Sequence, residues 1–245
     1  WADNNTFVYG DIFSRGGAAG GNGGFVETSG YNNLSVLGMV DVSAANGNGG
    51  DWLLDPSNVT IGSSGTNVTT STANCGSGPY ICNPPSNSFT ILASSISTAL
   101  NNGSNVTITT NSNGNQAGDI TLASSISKTA GGNATLTFKA ANGIIFNNGT
   151  GVSSTTGKLN LVLNANSDSS GAGYISLSNN NTITTNGGDV VMGGGNDPMV
   201  NYAVGTGSSS TKYGIYLNGA NINTAGGSVN LRGQGGTGNN DNYGV

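Results

Sequence analysis

Eleven acidic side chains, two cysteines and no histidine bound the chemistry available to this 245-residue chain. Glu27 is its only glutamate, and Asp41, Asp51 and Asp55 follow it closely. Set with one of these aspartates, Glu27 could form an acid–base pair. Such a pair works only where the environment separates the two pKa values and a cleft holds the carboxyls ~5–10 Å apart. The surrounding residues write short strands and turns, with nothing that would build a cleft. Glu27 and Asp55 are therefore expected to serve backbone amides at corners, and the chain is expected not to be an enzyme. A polysaccharide lyase or hydrolase would need Asp, Arg or Lys clustered on one face, and no such cluster is visible.

Metal and nucleic acid fare no better. Gly193-Gly194-Gly195-Asn196-Asp197 approaches the start of a glycine-rich calcium repeat but breaks its order. The acidic residues are scattered, so neither a dedicated metal site nor a cofactor is expected. Six Lys and Arg, spread singly from Arg15 to Arg232, and a pI near 4.2 argue against nucleic acid. Cys75 and Cys82 flank a Gly/Pro-rich stretch, where a disulfide closing a small loop is the leading reading and fits an extracytoplasmic compartment. Two free or metal-binding thiols are the alternative, but a zinc site wants about four ligands and histidine is absent.

Two further groups invite a functional reading. Trp52, Leu53 and Leu54 would make a sugar-stacking platform if exposed; Trp52 is expected instead to seal the core. Asn58, Asn67, Asn105 and Asn133 each begin an Asn-x-Thr triplet, the glycosylation acceptor pattern, although the Ser and Thr content produces such triplets by chance.

The elements that must carry these residues are short strands. Gly118-Asp-Ile-Thr-Leu122, Gly143-Ile-Ile-Phe146, Gly173-Tyr-Ile-Ser-Leu177 and Gly214-Ile-Tyr-Leu217 are each a glycine followed by an apolar strand. Each is answered by a partner: Ala134–Phe138, Lys158–Leu163, Asp189–Met192 and Ser228–Leu231. A period of roughly 20–30 residues built from short strands predicts a solenoid. With 43 glycines and only 7% charged residues, disorder would be the other candidate. Alternating apolar positions and a net charge of only −5 argue against it. Almost no helix is expected, because glycine interrupts every helical pattern. No apolar run reaches the ~20 residues of a membrane span.

Identical polarity in every repeat predicts an all-β fold, a parallel β-helix with extra-helical loops rather than an antiparallel sandwich. At ~22–25 residues per coil, about ten coils would stack ~4.8 Å apart. Residues 1–245 read as one continuous solenoid. Residues 62–88 form a first projecting, cysteine-bearing loop, and 193–211 a second. Trp1 opens the chain without a leader, and Asn242-Tyr243-Gly244-Val245 repeats Lys212-Tyr213-Gly214-Ile215 and stops. The chain is therefore expected to be a piece of a longer protein.

Gly23-Gly24-Phe25-Val26-Glu27-Thr28-Ser29-Gly30 and Asp51-Trp52-Leu53-Leu54-Asp55-Pro56-Ser57-Asn58-Val59-Thr60-Ile61 carry a family resemblance. The pair, its spacing and the Thr/Asn/Gly repeats that follow resemble filamentous-haemagglutinin-like exoproteins of two-partner secretion, including the high-molecular-weight adhesins. The resemblance implies a right-handed parallel β-helix, export through an outer-membrane transporter, and display on, or release from, a Gram-negative cell. The function it implies is an adhesin shaft that engages a host-cell or bacterial surface receptor or glycan. A filament subunit that self-associates end to end and a β-helical carbohydrate-active enzyme are the alternatives.

Overall fold

The computed structural model describes residues 2, 5–30, 33–36, 38–56, 58–63, 88–111, 116–207, 211–237 and 242–245. The chain is mostly β, its strands lie in parallel sheets, and the described residues include one short helix. Sheet I holds seven strands: Phe25–Ser29, Asp51–Asp55, Asn105–Thr109, Ala134–Lys139, Leu159–Ala165, Val190–Gly194 and Val229–Leu231. Sheet II holds six, ordered Ser88–Leu92, Asn58–Gly62, Ile120–Leu122, Ile144–Phe146, Ile175–Ser178 and Ile215–Asn218. Sheet III holds four: Ile126–Lys128, Gly151–Ser154, Thr182–Thr184 and Asn221–Asn223. From Asn105 onward the chain visits sheets I, II and III in rotation.

Every strand pairing described is parallel, which removes the antiparallel sandwich. Register sets apolar residues on top of one another. In sheet I, Trp52, Val106, Leu136, Leu161 and Val190 lie in one row. Val59, Ile120, Ile144, Ile175 and Ile215 form the row in sheet II, and Ile126, Val152, Ile183 and Ile222 that in sheet III. Of these, all but Ile222 are buried, because the period of two sends alternate side chains inward. Each fully buried aliphatic contributes roughly 1.5–3 kcal/mol.

Turns from sheet III into sheet I reuse one device. A left-handed residue reverses the chain: Gly131 (φ 73°), Gly157 (φ 70°), Asn186 (φ 51°) and Ala225 (φ 51°). A donor just before it satisfies turn carbonyls. Ser154 Oγ donates to Gly157 O at 2.9 Å, Thr185 Oγ1 to Gly188 O at 2.5 Å and Thr224 Oγ1 to Gly227 O at 2.6 Å. In the first of these turns the donor is Lys128. Its side chain is wholly buried, and Nζ donates to Ala130 O (2.6 Å), Gly131 O (3.3 Å) and, one layer on, Thr156 O (2.6 Å). Burial pulls its pKa below the ordinary lysine value.

Several features differ from the sequence expectation. The repeat has three strands per layer rather than two, because each strand of sheet III offers only one inward aliphatic among Ser, Thr and Asn. Among the described residues the largest sheet stacks seven strands, against the roughly ten coils expected. Layer-to-layer hydrogen bonds differ in reach, from 23 residues between Asn142 and Asp119 to 39 between Ser228 and Asp189, since loops lengthen individual layers. Helix α1 (Ala93–Asn101) was not expected, and its buried Ala93, Ile96, Ala99 and Leu100 are hidden among serines. It covers the edge of sheet III: Ser97 Oγ accepts from Ser127 N (3.1 Å), and Asn101 Oδ1 from Thr129 N (2.7 Å) and Ala130 N (3.1 Å). Among the described residues, no helix is long and apolar enough to cross a membrane.

Ser88–Leu92 lies on the far side of Asn58–Gly62 from Ile120–Leu122, against chain order. The first loop therefore steps the chain back by one layer. Its residues 64–87, with Cys75, Cys82 and Asn67, lie outside the described residues. The second loop begins later than expected, because Gly193 and Gly194 complete a strand of sheet I beside Asn164 and Ala165. Within it, Ala203–Val204 pairs with Gly233–Gln234. The repeated phrase at the other end behaves as read: Ile215 N donates to Gly244 O at 2.9 Å, and Tyr213 stacks on Tyr243 with centroids 6.0 Å apart.

Phe138 is fully buried, with its ring centroid 6.4 Å from that of Phe146 in sheet II. Phe138→Ala is expected to lower unfolding stability by about 3–5 kcal/mol in urea titration. A cost below about 1 kcal/mol would mean that this core is not packed as described.

Candidate functional site

The carboxylates are brought together only in part. Asp41 Oδ2 accepts from Arg15 Nε at 2.6 Å and Oδ1 from Ser43 N at 2.9 Å. Burial pushes its pKa up, but the hydrogen bonds from Ser43 and then Arg15 outweigh that and hold it below the ordinary value. Asp51 Oδ1 accepts from Asn105 Nδ2 at 3.1 Å. Among the described residues Glu27 is hydrogen-bonded to neither Asp41 nor Asp51. Burial first, and the charge of Glu27 second, raise the pKa of Asp55, while Lys139 opposes them.

Glu27 and Asp55 do not sit at corners serving backbone amides, as the sequence suggested. Both lie in strands of sheet I, where alternation turns residues 25 and 27 and residues 51, 53 and 55 outward, while Ser29 is buried. Glu27 Oε1 accepts instead from the Ser29 hydroxyl at 2.5 Å. The pair occupies an outer sheet face and lines no part of the groove described below.

The two phrases that carried the family resemblance are neighbours in space. Phe25–Ser29 pairs with Asp51–Asp55 in exact one-to-one order, Val26 beside Trp52 and Thr28 beside Leu54. Trp52 is fully buried, so it forms part of the core and offers no stacking platform; Leu54 is buried with it, and Leu53 is half-exposed on the outer face. The Trp52 indole Nε1 donates to Thr28 Oγ1 at 3.1 Å, joining the phrases by a side-chain hydrogen bond. Gly24 leaves room for Ser14, whose hydroxyl occupies the space a Cβ would take.

A polar groove of about 500 Å³ crosses the corner where chains enter sheet I. It runs over four neighbouring layers and is lined by Asn48, Asn102, Asn105, Asn133, Thr135 and Asn160, with glycines and alanines between them. No lining side chain is charged or aromatic. Its floor is recessed because glycine turns stack backbone to backbone: a Cβ on Gly49 would strike Gly103 O, and one on Gly157 would lie 2.5 Å from Gly132 O. The asparagines also tie layers together. Asn105 Oδ1 accepts from Thr135 N (2.8 Å), Asn133 Oδ1 from Lys158 N (2.9 Å) and Asn160 Oδ1 from Asp189 N (3.0 Å).

Sequence reasoning missed Asn48, Asn102 and Asn160. Their signal is an Asn recurring beside the glycine turn or at the start of a sheet I strand, legible only once the layers are aligned. Of the acceptor triplets, Asn58 commits its whole amide: Oδ1 accepts from Gly118 N (2.7 Å) and Asp119 N (2.8 Å), and Nδ2 donates to Gln116 (2.5 Å). Asn105 is similarly engaged at both ends. Asn133 is exposed and uses only its oxygen. In the calcium-like stretch, Asp197 Oδ1 accepts from Met199 N at 2.9 Å, closing a local turn. Among the described residues no cluster of three or more His, Cys, Asp or Glu is placed to hold a metal.

No protein-family model matches the chain, and no curated protein is similar to it.

Two measurements check this geometry. Thr28→Val leaves the buried Trp52 N–H without its acceptor and is expected to cost about 1–3 kcal/mol. No change in the denaturation midpoint would break the proposed link between the phrases. A raised folded-state pKa at Asp55 means that its stabilising contribution is present below the ordinary value and lost as pH rises through the raised one. Asp55→Asn should therefore raise the melting temperature near about pH 7 and change it little near about pH 3. An equal shift at both would exclude the ionised carboxylate as the cause.

Proposed function

We propose that this chain is a shaft segment of a secreted bacterial adhesin, displayed at the outer membrane and folded as a right-handed parallel β-helix. The observation that carries the reading is the rotation of the chain, from Asn105 onward, through three parallel sheets whose strands pair in register. At ~4.8 Å per layer, the seven strands of sheet I extend over about 30 Å. Such a body separates what is attached at its two ends and presents side faces along its length. The in-register pairing of residues 25–29 with 51–55 supports the filamentous-haemagglutinin-like resemblance, since those phrases form one structural unit. From that resemblance come export through an outer-membrane transporter and attachment to a receptor or glycan on another cell. A non-catalytic role is supported by the carboxylates: Asp41 is neutralised by Arg15, and Glu27 with Asp55 lies outside the groove.

Solution scattering and cell attachment test the two halves separately. The purified chain is expected to scatter as an elongated particle, and beads coated with it to be retained on host or bacterial cells. A compact spherical envelope would refute the β-helix. A rod that holds no cell would refute the adhesive role alone. Length that grows with protein concentration would favour end-to-end filament assembly.

A further inference from the structure

We propose that the groove at the entry to sheet I binds an uncharged, hydroxyl-rich oligosaccharide, which rests on the adhesin reading and names its ligand class. Its size and chemistry select that class. Four layers at ~4.8 Å give a trough about 14 Å long, which suits a short extended chain better than a single small molecule. No lining side chain is cationic, so an anionic glycan or a phosphate would enter with no counter-charge, against a net charge of −5. Alanine is the largest apolar side chain present, which leaves lipids and apolar peptides nothing to bury against.

What remains is amide hydrogen bonding. The layer-to-layer bonds fix which way two of these amides point. With Oδ1 of Asn133 accepting from Lys158 N and Oδ1 of Asn160 accepting from Asp189 N, each Nδ2 is turned away from its interlayer bond. Both residues are exposed, and neither Nδ2 has a partner among the described residues. These two donors, on adjacent layers, match the oxygen acceptors of a sugar chain. Without an aromatic to stack on, each contact is weak, and retention grows through many copies displayed together. The trough is open at Gly132, where nothing lies within 4 Å of where a Cβ would project.

An array of uncharged oligosaccharides (glucans, mannans, chitin oligomers and galactose-terminated glycans), with sulfated and sialylated ones beside them, provides the probe. Calorimetric titration of the best responder then gives affinities. The wild-type chain is expected to bind uncharged members. Asn133→Asp and Asn160→Asp keep an oxygen for the interlayer bond but remove the donor, and each should weaken binding about tenfold. Gly132→Trp leaves every asparagine in place and fills the trough, so it should abolish binding without moving the melting temperature. Absence of binding to any uncharged glycan, preference for the anionic ones, or affinity unchanged in folded Gly132→Trp would each overturn the proposal. Cell attachment that survives Gly132→Trp would refute the groove as the adhesive site while leaving adhesion standing. Glycan binding without cell attachment would do the reverse.

Discussion

A parallel layer can satisfy its backbone only with a copy of itself, and most of this structure follows from that constraint. Each strand leaves a row of N–H and C=O groups on both edges, and in a parallel ladder these are met by the equivalent residues of the next layer. Equivalent residues then stack, so an aliphatic in one layer needs an aliphatic above it. Leu136 on Leu161 and Ile144 on Ile175 are instances. Extra residues can enter only between strands. This is why a layer may grow until its interlayer bond spans 39 residues, as Asp189 does with Ser228, without loss of register.

Corners face the same requirement without a ladder to help. Their amides and carbonyls are met by side chains, which accounts for the abundance of Asn, Ser and Thr. Asn105, Asn133 and Asn160 accept from the next layer, while Ser154, Thr185 and Thr224 donate within their own turn. Lys128 replaces the hydroxyl with an ammonium that reaches three carbonyls across two layers. Burying that charge has a cost, seen in its lowered pKa, which the three carbonyls offset in part. The helix solves the matching problem at the edge of sheet III, where Ser97 and Asn101 take the place of a missing strand.

The proposed adhesive role follows from the same economy. A core filled by stacked side chains directs recognition to outer faces and corners. Where glycine turns lie backbone to backbone, the corner sinks and the structural asparagines become the walls of a trough. One set of amides thereby holds the layers together and turns its remaining donors outward.

The residues alone determined that short strands repeat, that they run with one polarity, and that Trp52 belongs inside. Local alternation and turn chemistry carry that information, and the Tyr243 phrase could be matched to Tyr213 by eye. Sheet III was not legible, because a strand with a single inward aliphatic, such as that of Ile126 or Ile222, has no alternation to detect. Helix α1 escaped because Ile96, Ala99 and Leu100 are spaced among serines that favour turns. Only the tertiary structure decided that Ser88–Leu92 steps back a layer, that Glu27 and the half-buried Asp55 share one outer sheet face, and that asparagines from four layers line one trough. Those outcomes depend on register between residues far apart in the chain, and register is set by what stacks on what, which no local pattern encodes.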